Sequence, residues 1–221
     1  RWFSERVAVY VSGAWLLYPA AILFTALFLT ETLFVFLWVL ALWLYSPPFT
    51  GGTKGGRWVG LGLVLGLLLL ARASGIILAL AILLHVVYHR RYRPALILVA
   101  VMFVTVLPWM VRNAVVMGTF SLNTNSGINL YQGSNPYATG AYRFDEPVTA
   151  PLDSFPPYYG GNTRRVTGEV ERNRRATQLL FEYLRSHPVE ALALWPKKFA
   201  YFWSTDISLW AHYLPRPGLS L

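Results

Sequence analysis

Glu31, Arg72 and Arg112 are the charged residues whose surroundings point to chemistry. Glu31 interrupts the apolar stretch 7–45. Placing an ionisable group at the centre of a membrane helix costs about 2.5–3.5 kcal/mol on insertion scales, which makes such a residue a functional candidate. At a wet hairpin turn the same residue would cap the following helix, with Thr30 as its neighbour at the N-cap, and the two roles are compatible. A carboxylate there could hold a sugar hydroxyl, a metal or a basic partner. Arg72 (Leu70-Ala71-Arg72-Ala73-Ser74-Gly75) and Arg112 (Trp109-Met110-Val111-Arg112-Asn113) each end an apolar run. A guanidinium fork binds phosphate bidentately, so two of them facing one water layer could grip a lipid-linked phosphate. Snorkelling to ordinary phospholipid head groups is the competing role.

A second chemical signal follows the apolar run that closes at Arg112-Asn113. Asn123, Asn125, Asn129, Gln132 and Asn135 place amide after amide, with Tyr131, Tyr137, Gly127 and Gly133 between them. Amides bond neutral hydroxyl groups, and glycines let backbone approach a ligand closely. Aromatic faces can stack on sugar rings. Asn and Gly are also ordinary turn formers, so a turn-rich loop stands beside the ligand-binding reading. Weaker signals carry less. Gly60, Gly62 and Gly66 have the wrong spacing for a dinucleotide fingerprint, and Gly62-x-x-x-Gly66 suits close helix packing. His85 and His89 stand four apart with no third ligand near them in sequence, which argues against a metal site. Asp145, Glu146 and Asp153 are acid/base groups by type only.

The elements that must position these residues read as membrane helices. The chain is 55% hydrophobic and 13% charged, against about 25% charged in a soluble domain, with mean hydropathy +0.43. A net charge of +9 would suggest nucleic acid in a soluble protein. Here the basic residues sit at the ends of apolar runs and in the last third, so lipid is the expected partner and nucleic acid is not. The absence of cysteine rules out disulfides and thiolate metal sites.

Residues 7–30 read as one span kinked at Pro19, and 33–45 as the second arm of a helical hairpin turning near Thr30-Glu31. Residues 46–57 form a Pro/Gly-rich loop. Spans follow over 58–71, 75–88 and 95–111, several of them short enough to require tilt. Arg1, Arg6, Lys54, Arg57 and the cluster His89-Arg90-Arg91-Tyr92-Arg93 fall on one side of this five-span arrangement, and Arg72 and Arg112 on the other. The positive-inside rule makes the first side cytoplasmic and places the loop after Asn113 outside the cytoplasm. Residues 113–168 are expected to be an extracytoplasmic loop region with little helix. An amphipathic helix over 169–186 carries Ala176, Leu179, Leu180, Tyr183 and Leu184 on one face and ends before Pro188. Residues 189–203 read as a packed interfacial or membrane-entering segment. The expected class is an all-α polytopic membrane protein divided into a transmembrane part (1–112), the loop region (113–168) and interfacial helices (169–221).

With these residues in view, the chain resembles the GT-C superfamily of polytopic glycosyltransferases, in its bacterial dolichyl-phosphate-mannose-protein mannosyltransferase-like branch. The matching segments are Tyr18-Pro19, Leu29-Thr30-Glu31-Thr32-Leu33-Phe34, residues 66–72, Leu107-Pro108-Trp109 and Val111-Arg112-Asn113. The most specific is Thr124-Asn125-Ser126-Gly127-Ile128-Asn129-Leu130-Tyr131-Gln132-Gly133-Ser134-Asn135-Pro136. The resemblance runs in order along most of the chain and is weakest after about residue 145. It implies GT-C-like helices in a bacterial inner or plasma membrane. It also implies an inverting transfer of a sugar from a polyprenyl-phosphate donor to a lipid, glycan or protein acceptor of the cell envelope. On this reading Arg72 and Arg112 lie near donor phosphate and Glu31 at the outer rim of the donor cavity, while Asn125, Asn129, Tyr131 and Asn135 shape the sugar or acceptor side. The leaving phosphate needs charge stabilisation, which arginines or a divalent metal could supply, though no metal-ligand cluster is visible. The family's catalytic aspartate lies in an outer loop after the first span. No such loop is present here, so that residue is expected upstream of Arg1, in a chain that is a fragment. A lipid or sugar transporter and a non-catalytic assembly subunit are the alternatives, and the scarcity of charge within the spans disfavours the transporter.

Overall fold

Leu, Val, Ala and Gly dominate the first half of the sequence, broken by prolines and basic pairs, and they fold as a succession of helices. The computed structural model describes residues 4–19, 22, 25, 30–46, 55–140, 150–152 and 163–203. Every regular element among these residues is helical, in agreement with the expected all-α class. The chain divides into two compact units, Arg1–Val115 with Thr119–Leu122, and Val116–Gly118 with Asn123–Leu221.

In the first unit, α1 (Glu5–Leu16) starts at Ser4, whose hydroxyl accepts from the Val7 N–H at 3.4 Å, and none of its residues is buried. The expected single span over 7–30 is not one continuous helix, because α1 stops at Leu16, just before Tyr18-Pro19. Proline removes an N–H donor and disfavours helical backbone in the residue before it. A helical bond from Ile22 N–H to the Tyr18 carbonyl (3.3 Å) resumes beyond the break.

Helices α2 (Thr30–Tyr45), α3 (Gly55–Ala71), α4 (Ile76–Tyr88) and α5 (Tyr92–Met117) follow, with a 3-10 turn at Ala73–Gly75 between α3 and α4. The core runs along α3, where Leu61, Leu65 and Leu68 are fully buried. Around them pack Leu37 and Ala41 of α2, Leu78, Ala79, Ile82 and Val86 of α4, and Ala95 and Leu98 of α5. Gly62 and Gly66 let α5 approach α3 closely, as the small-x-x-x-small spacing suggested. A Cβ on Gly62 would lie 2.8 Å from Val101 Cβ, and one on Gly66 would lie 2.6 Å from Thr105 Cβ. Gly66→Val is therefore expected to destabilise this unit by about 1–3 kcal/mol through overpacking. A drop in the melting temperature of the detergent-solubilised protein would register it, and unchanged melting would place α5 elsewhere.

The pairing of Gly62 with Leu98–Val101 and of Gly66 with Thr105 makes α3 and α5 parallel. Tyr45 at the end of α2 meets Trp58 at the start of α3 and His85 near the end of α4. One end of the unit thus carries Arg57, His85, His89 and Arg91, and the opposite end carries Glu31, Arg72 and Arg112. Arg57 and the cluster 89–93 thus lie at the end opposite Arg72 and Arg112, as the sequence suggested, while Arg1 and Lys54 lie outside the described residues.

Helix α5 spans 26 residues with mean hydropathy 2.3 in its most apolar stretch, long and apolar enough to cross a membrane. Only 17% of that stretch is buried inside the structure, unlike the core helix of a soluble protein. Leu84, Leu96 and Val104 are about two-thirds exposed. Helices α2, α3 and α4 are apolar but shorter.

The second unit contains α6 (Ser126–Gly133), a 3-10 turn at Ala150–Leu152, α7 (Thr163–Ser186) and α8 (Pro188–Trp203). Ala176 and Leu180 of α7 bury against Tyr131 of α6 and Leu152, so the amphipathic face read from the sequence covers α6. The stretch 113–168 holds more helix than expected. Helix α5 continues to Met117, where Gly118 takes a φ of +69 and Thr119 N–H bonds the Asn113 carbonyl at 3.4 Å, a glycine-terminated helix end. The boundary expected at 168/169 falls inside α7. Pro188 opens α8, where its missing N–H costs nothing.

Candidate functional site

Glu31 occupies the first turn of α2, where the helix dipole favours an anion. Arg72 follows the last residue of α3 in extended conformation (φ −154, ψ 134). Its N–H still bonds the Leu68 carbonyl at 3.0 Å, and its own carbonyl accepts from Gly75 N–H at 3.0 Å. This backbone turns the side chain away from the α3 axis, and its Nη1 donates to Glu31 Oε1 in an ion pair. The two side chains are 42% and 35% exposed. A pair so open to water adds about 0–1 kcal/mol to stability, so its main consequence is to fix where the guanidinium points.

Arg112 lies near the end of α5. Its guanidinium carbon sits 5.1 Å from the centre of the Trp109 ring, in cation–π geometry. Arg112 Nη1 donates to Asn113 Oδ1 at 3.0 Å. Asn113, only 2% exposed, in turn donates from Nδ2 to the Ser121 carbonyl at 2.9 Å. Trp109 Nε1 donates to the Leu122 carbonyl at 3.2 Å, which ties the segment after α5 back onto the helix. Leu70 of α3 and Thr105, Pro108 and Trp109 of α5 line an open recess of about 450 Å³. Its walls are mostly apolar, since Pro108 brings no N–H and the Thr105 hydroxyl is bonded to the Val101 carbonyl at 2.7 Å. The end of the unit therefore combines an apolar hollow, a guanidinium held on a tryptophan face and a carboxylate-fixed arginine. Trp109 and Asn113 position Arg112, and nothing in their spacing announces that role.

The amide-rich segment is built separately, in the second unit. Asn125 stands at the start of α6 but makes no capping bond with its side chain. Asn173 of α7 does so instead, its Oδ1 accepting from Gly127 N–H at 2.7 Å and Ile128 N–H at 3.3 Å. Glu169, one turn earlier on α7, accepts the Thr124 hydroxyl. Asn125 and Asn129 are exposed. Asn135 is 1% exposed and committed to backbone, with Nδ2 donating to the carbonyls of Tyr131 (2.8 Å) and Gln132 (3.0 Å) and Oδ1 accepting from Tyr137 N–H (2.8 Å). Tyr131 is 4% exposed in the α6–α7 core. Of the four residues expected on the sugar or acceptor side, two thus face outward and two hold the loop in shape. Lys198 of α8 reaches Ser134 Oγ at 3.2 Å.

Glu31 and Arg72 are brought into contact, and Arg112 lies at the same end of the first unit. Asn125, Asn129, Tyr131 and Asn135 belong to the second unit. Asp145, Glu146 and Asp153 lie outside the described residues. Among the described residues no three His, Cys, Asp or Glu side chains cluster to hold a metal. Compared with protein-family models, with curated proteins and with solved structures, the chain matches none.

Burial pushes the Tyr131 phenol above its ordinary value of 10.0, with Tyr137 adding to the shift and Arg175 opposing it. A raised folded-state pKa contributes stability that is complete below the unfolded value and is lost as pH rises through the folded one. The second unit is therefore expected to loosen above about pH 10, and Tyr131→Phe to remove that alkaline limb. Tyrosinate absorbance followed alongside helix content checks both, and identical alkaline profiles in the two proteins would contradict the assignment.

Proposed function

We propose that the chain is the membrane-embedded part of a GT-C-type glycosyltransferase, which moves a sugar from a polyprenyl-phosphate donor to an acceptor outside the cytoplasm. The observation that carries this reading is the end of the first unit where Glu31 holds Arg72 and where Trp109, one wall of the apolar recess, also carries the Arg112 guanidinium on its ring. An isoprenoid phosphate is an apolar chain ending in an anion, and this end carries both an apolar hollow and the guanidiniums of Arg72 and Arg112. Phosphate oxygens would accept from the guanidinium N–H groups, and the positive charge would stabilise the phosphate as the sugar leaves.

A polytopic arrangement fits the same unit. Helix α5 has the length and composition of a span. The outward faces of α3 and α4 are as apolar as their cores, with Leu63, Leu67, Leu80 and Leu84 exposed, the surface expected where lipid is the solvent. The loop chemistry supports the sugar side, where Asn125 at the N-cap of α6 and Asn129 within it are exposed and Asn135 and Tyr131 keep that surface in shape. The motif resemblance of residues 124–136 supplies the reaction class.

A photoreactive polyprenyl phosphate added to membranes containing the complete gene product is expected to label the α5 stretch from Thr105 to Arg112. Unlabelled polyprenyl phosphate should compete, and a phospholipid of equal chain content should not. Labelling that ignores the competitor, or that falls on other segments, would remove the donor from this recess.

A further inference from the structure

At the end of the first unit opposite Glu31 and Arg72, the last turn of α4 and the C-cap that follows it carry two histidines that the proposed transfer does not use. His85 and His89 lie one turn apart, and their Nε2 atoms face each other at 3.1 Å. The rings stand 4.5 Å apart and nearly perpendicular, at 78°. Two imidazole nitrogens bound to one zinc-sized ion at about 2.0–2.1 Å each are separated by about 2.8–3.4 Å for bond angles between square and tetrahedral. The observed separation lies inside that bite. The Tyr45 hydroxyl bonds the other nitrogen, Nδ1, of His85. A partner on Nδ1 orients a ligating imidazole and fixes which nitrogen carries the lone pair, the usual outer-shell arrangement of a metal-bound histidine. Tyr88 packs edge-on against His89 with ring centres 5.4 Å apart, which limits that ring's rotation. Spacing alone argued against a metal here. What changes the reading is the convergence of the two Nε2 atoms together with a hydroxyl arriving from α2, forty residues away in sequence.

We propose that His85 and His89 form a two-nitrogen chelate for a borderline divalent transition metal such as Zn2+, with Tyr45 as its positioning residue. Among the described residues no third His, Cys, Asp or Glu joins them, so water or a small anion completes the coordination. Binding forms two metal–nitrogen bonds and replaces the nitrogen-to-nitrogen hydrogen bond, whose proton moves to Nδ1 of the donor ring so that both imidazoles ligate in the neutral form. The carboxyl-terminal end of α4 favours the cation through its dipole. Arg90, Arg91 and Arg93 beside it oppose the cation, and together with the open shell they set the affinity well below that of a closed four-ligand site. A dissociation constant on the order of 10 µM is expected.

Zn2+ titration of the complete protein in detergent, followed calorimetrically, tests the proposal, with Cu2+ paramagnetic resonance as a second readout of nitrogen ligation. One Zn2+ per chain should bind, and His85→Gln and His89→Gln should each weaken it at least about thirtyfold, because either change destroys the chelate. His187→Gln should leave it untouched. Tyr45→Phe should weaken binding about tenfold while both nitrogens still appear in the Cu2+ spectrum. No saturable binding below millimolar Zn2+, or equal affinity in the His85 and His89 variants, overturns the site. Wild-type affinity in Tyr45→Phe removes Tyr45 from it. Sugar transfer plays no part in these readouts, so the site stands or falls independently of the proposed activity.

Discussion

Arg72→Ala is expected to lower sugar transfer from a polyprenyl-phosphate donor by about 100-fold or more, the usual effect of deleting one charge-stabilising group. The same variant should cost little stability, because a half-exposed ion pair is worth about 0–1 kcal/mol. Glu31→Gln is expected to act through Arg72, lowering transfer less severely because the guanidinium remains but is no longer held. The decisive variant is the exchange Glu31→Arg with Arg72→Glu. It keeps an ion pair between α2 and the end of α3, so a purely structural role predicts full activity. A phosphate-binding role for Arg72 predicts activity as low as in Arg72→Ala, since a carboxylate then occupies the phosphate-facing position. Donor-transfer rates in membranes, normalised to folded protein, separate the two. Because Glu31 and Arg72 touch, the single effects are not expected to add, and the coupling between them measures how much of the effect of Glu31 passes through Arg72.

Asn135→Ala is expected to destabilise the second unit by about 2–4 kcal/mol. Three backbone groups depend on this one side chain, at 2.8, 3.0 and 2.8 Å, and it is 1% exposed. A typical hydrogen bond contributes about 0.5–1.5 kcal/mol net, and leaving a buried polar group unsatisfied costs about 1–3 kcal/mol. Amide hydrogen exchange over α6 and the following turn should accelerate strongly, while exchange in α3 and α4 stays unchanged. Asn135→Asp retains the acceptor for Tyr137 N–H but loses both donations to the carbonyls, so it should fall between wild type and alanine. Wild-type protection in Asn135→Ala would mean that α6 is held from elsewhere, with Asn173 the first residue to suspect.

The helices of the first unit were legible because their apolar runs are long and their breaks are chemical. Gly62 and Gly66 announced a close crossing, and the structure places Val101 and Thr105 against them. The stop at Gly118 was also written in the chain, yet the polar residues after Val111 drew the boundary too early. Helix α6 was hidden for a different reason. Its sequence is rich in Asn and Gly, and the group that satisfies its first N–H donors is Asn173, on a helix with no local relation to it. Only tertiary structure could supply that cap. The Glu31–Arg72 contact was likewise invisible, because forty-one residues separate the partners and nothing in either neighbourhood names the other. Each stands out singly in the sequence, as a charge stranded in apolar surroundings. For Asn135 and Tyr131 the residue types were informative but the direction was not, since an amide that bonds sugar hydroxyls bonds backbone equally well. Period and composition disclose elements, while the pairing of polar side chains is decided by the fold.

The activity proposed for this chain is sugar transfer from a polyprenyl phosphate. The most direct test supplies membranes carrying the complete gene product with a panel of radiolabelled hexose and pentose polyprenyl monophosphates, and follows label into lipid, glycan and protein acceptors. The account predicts transfer from at least one donor, abolished by Arg72→Ala and not restored by the Glu31→Arg with Arg72→Glu exchange. Label that stays on the donor in every case, or transfer that proceeds equally in wild type, Arg72→Ala and Arg112→Ala, would contradict it.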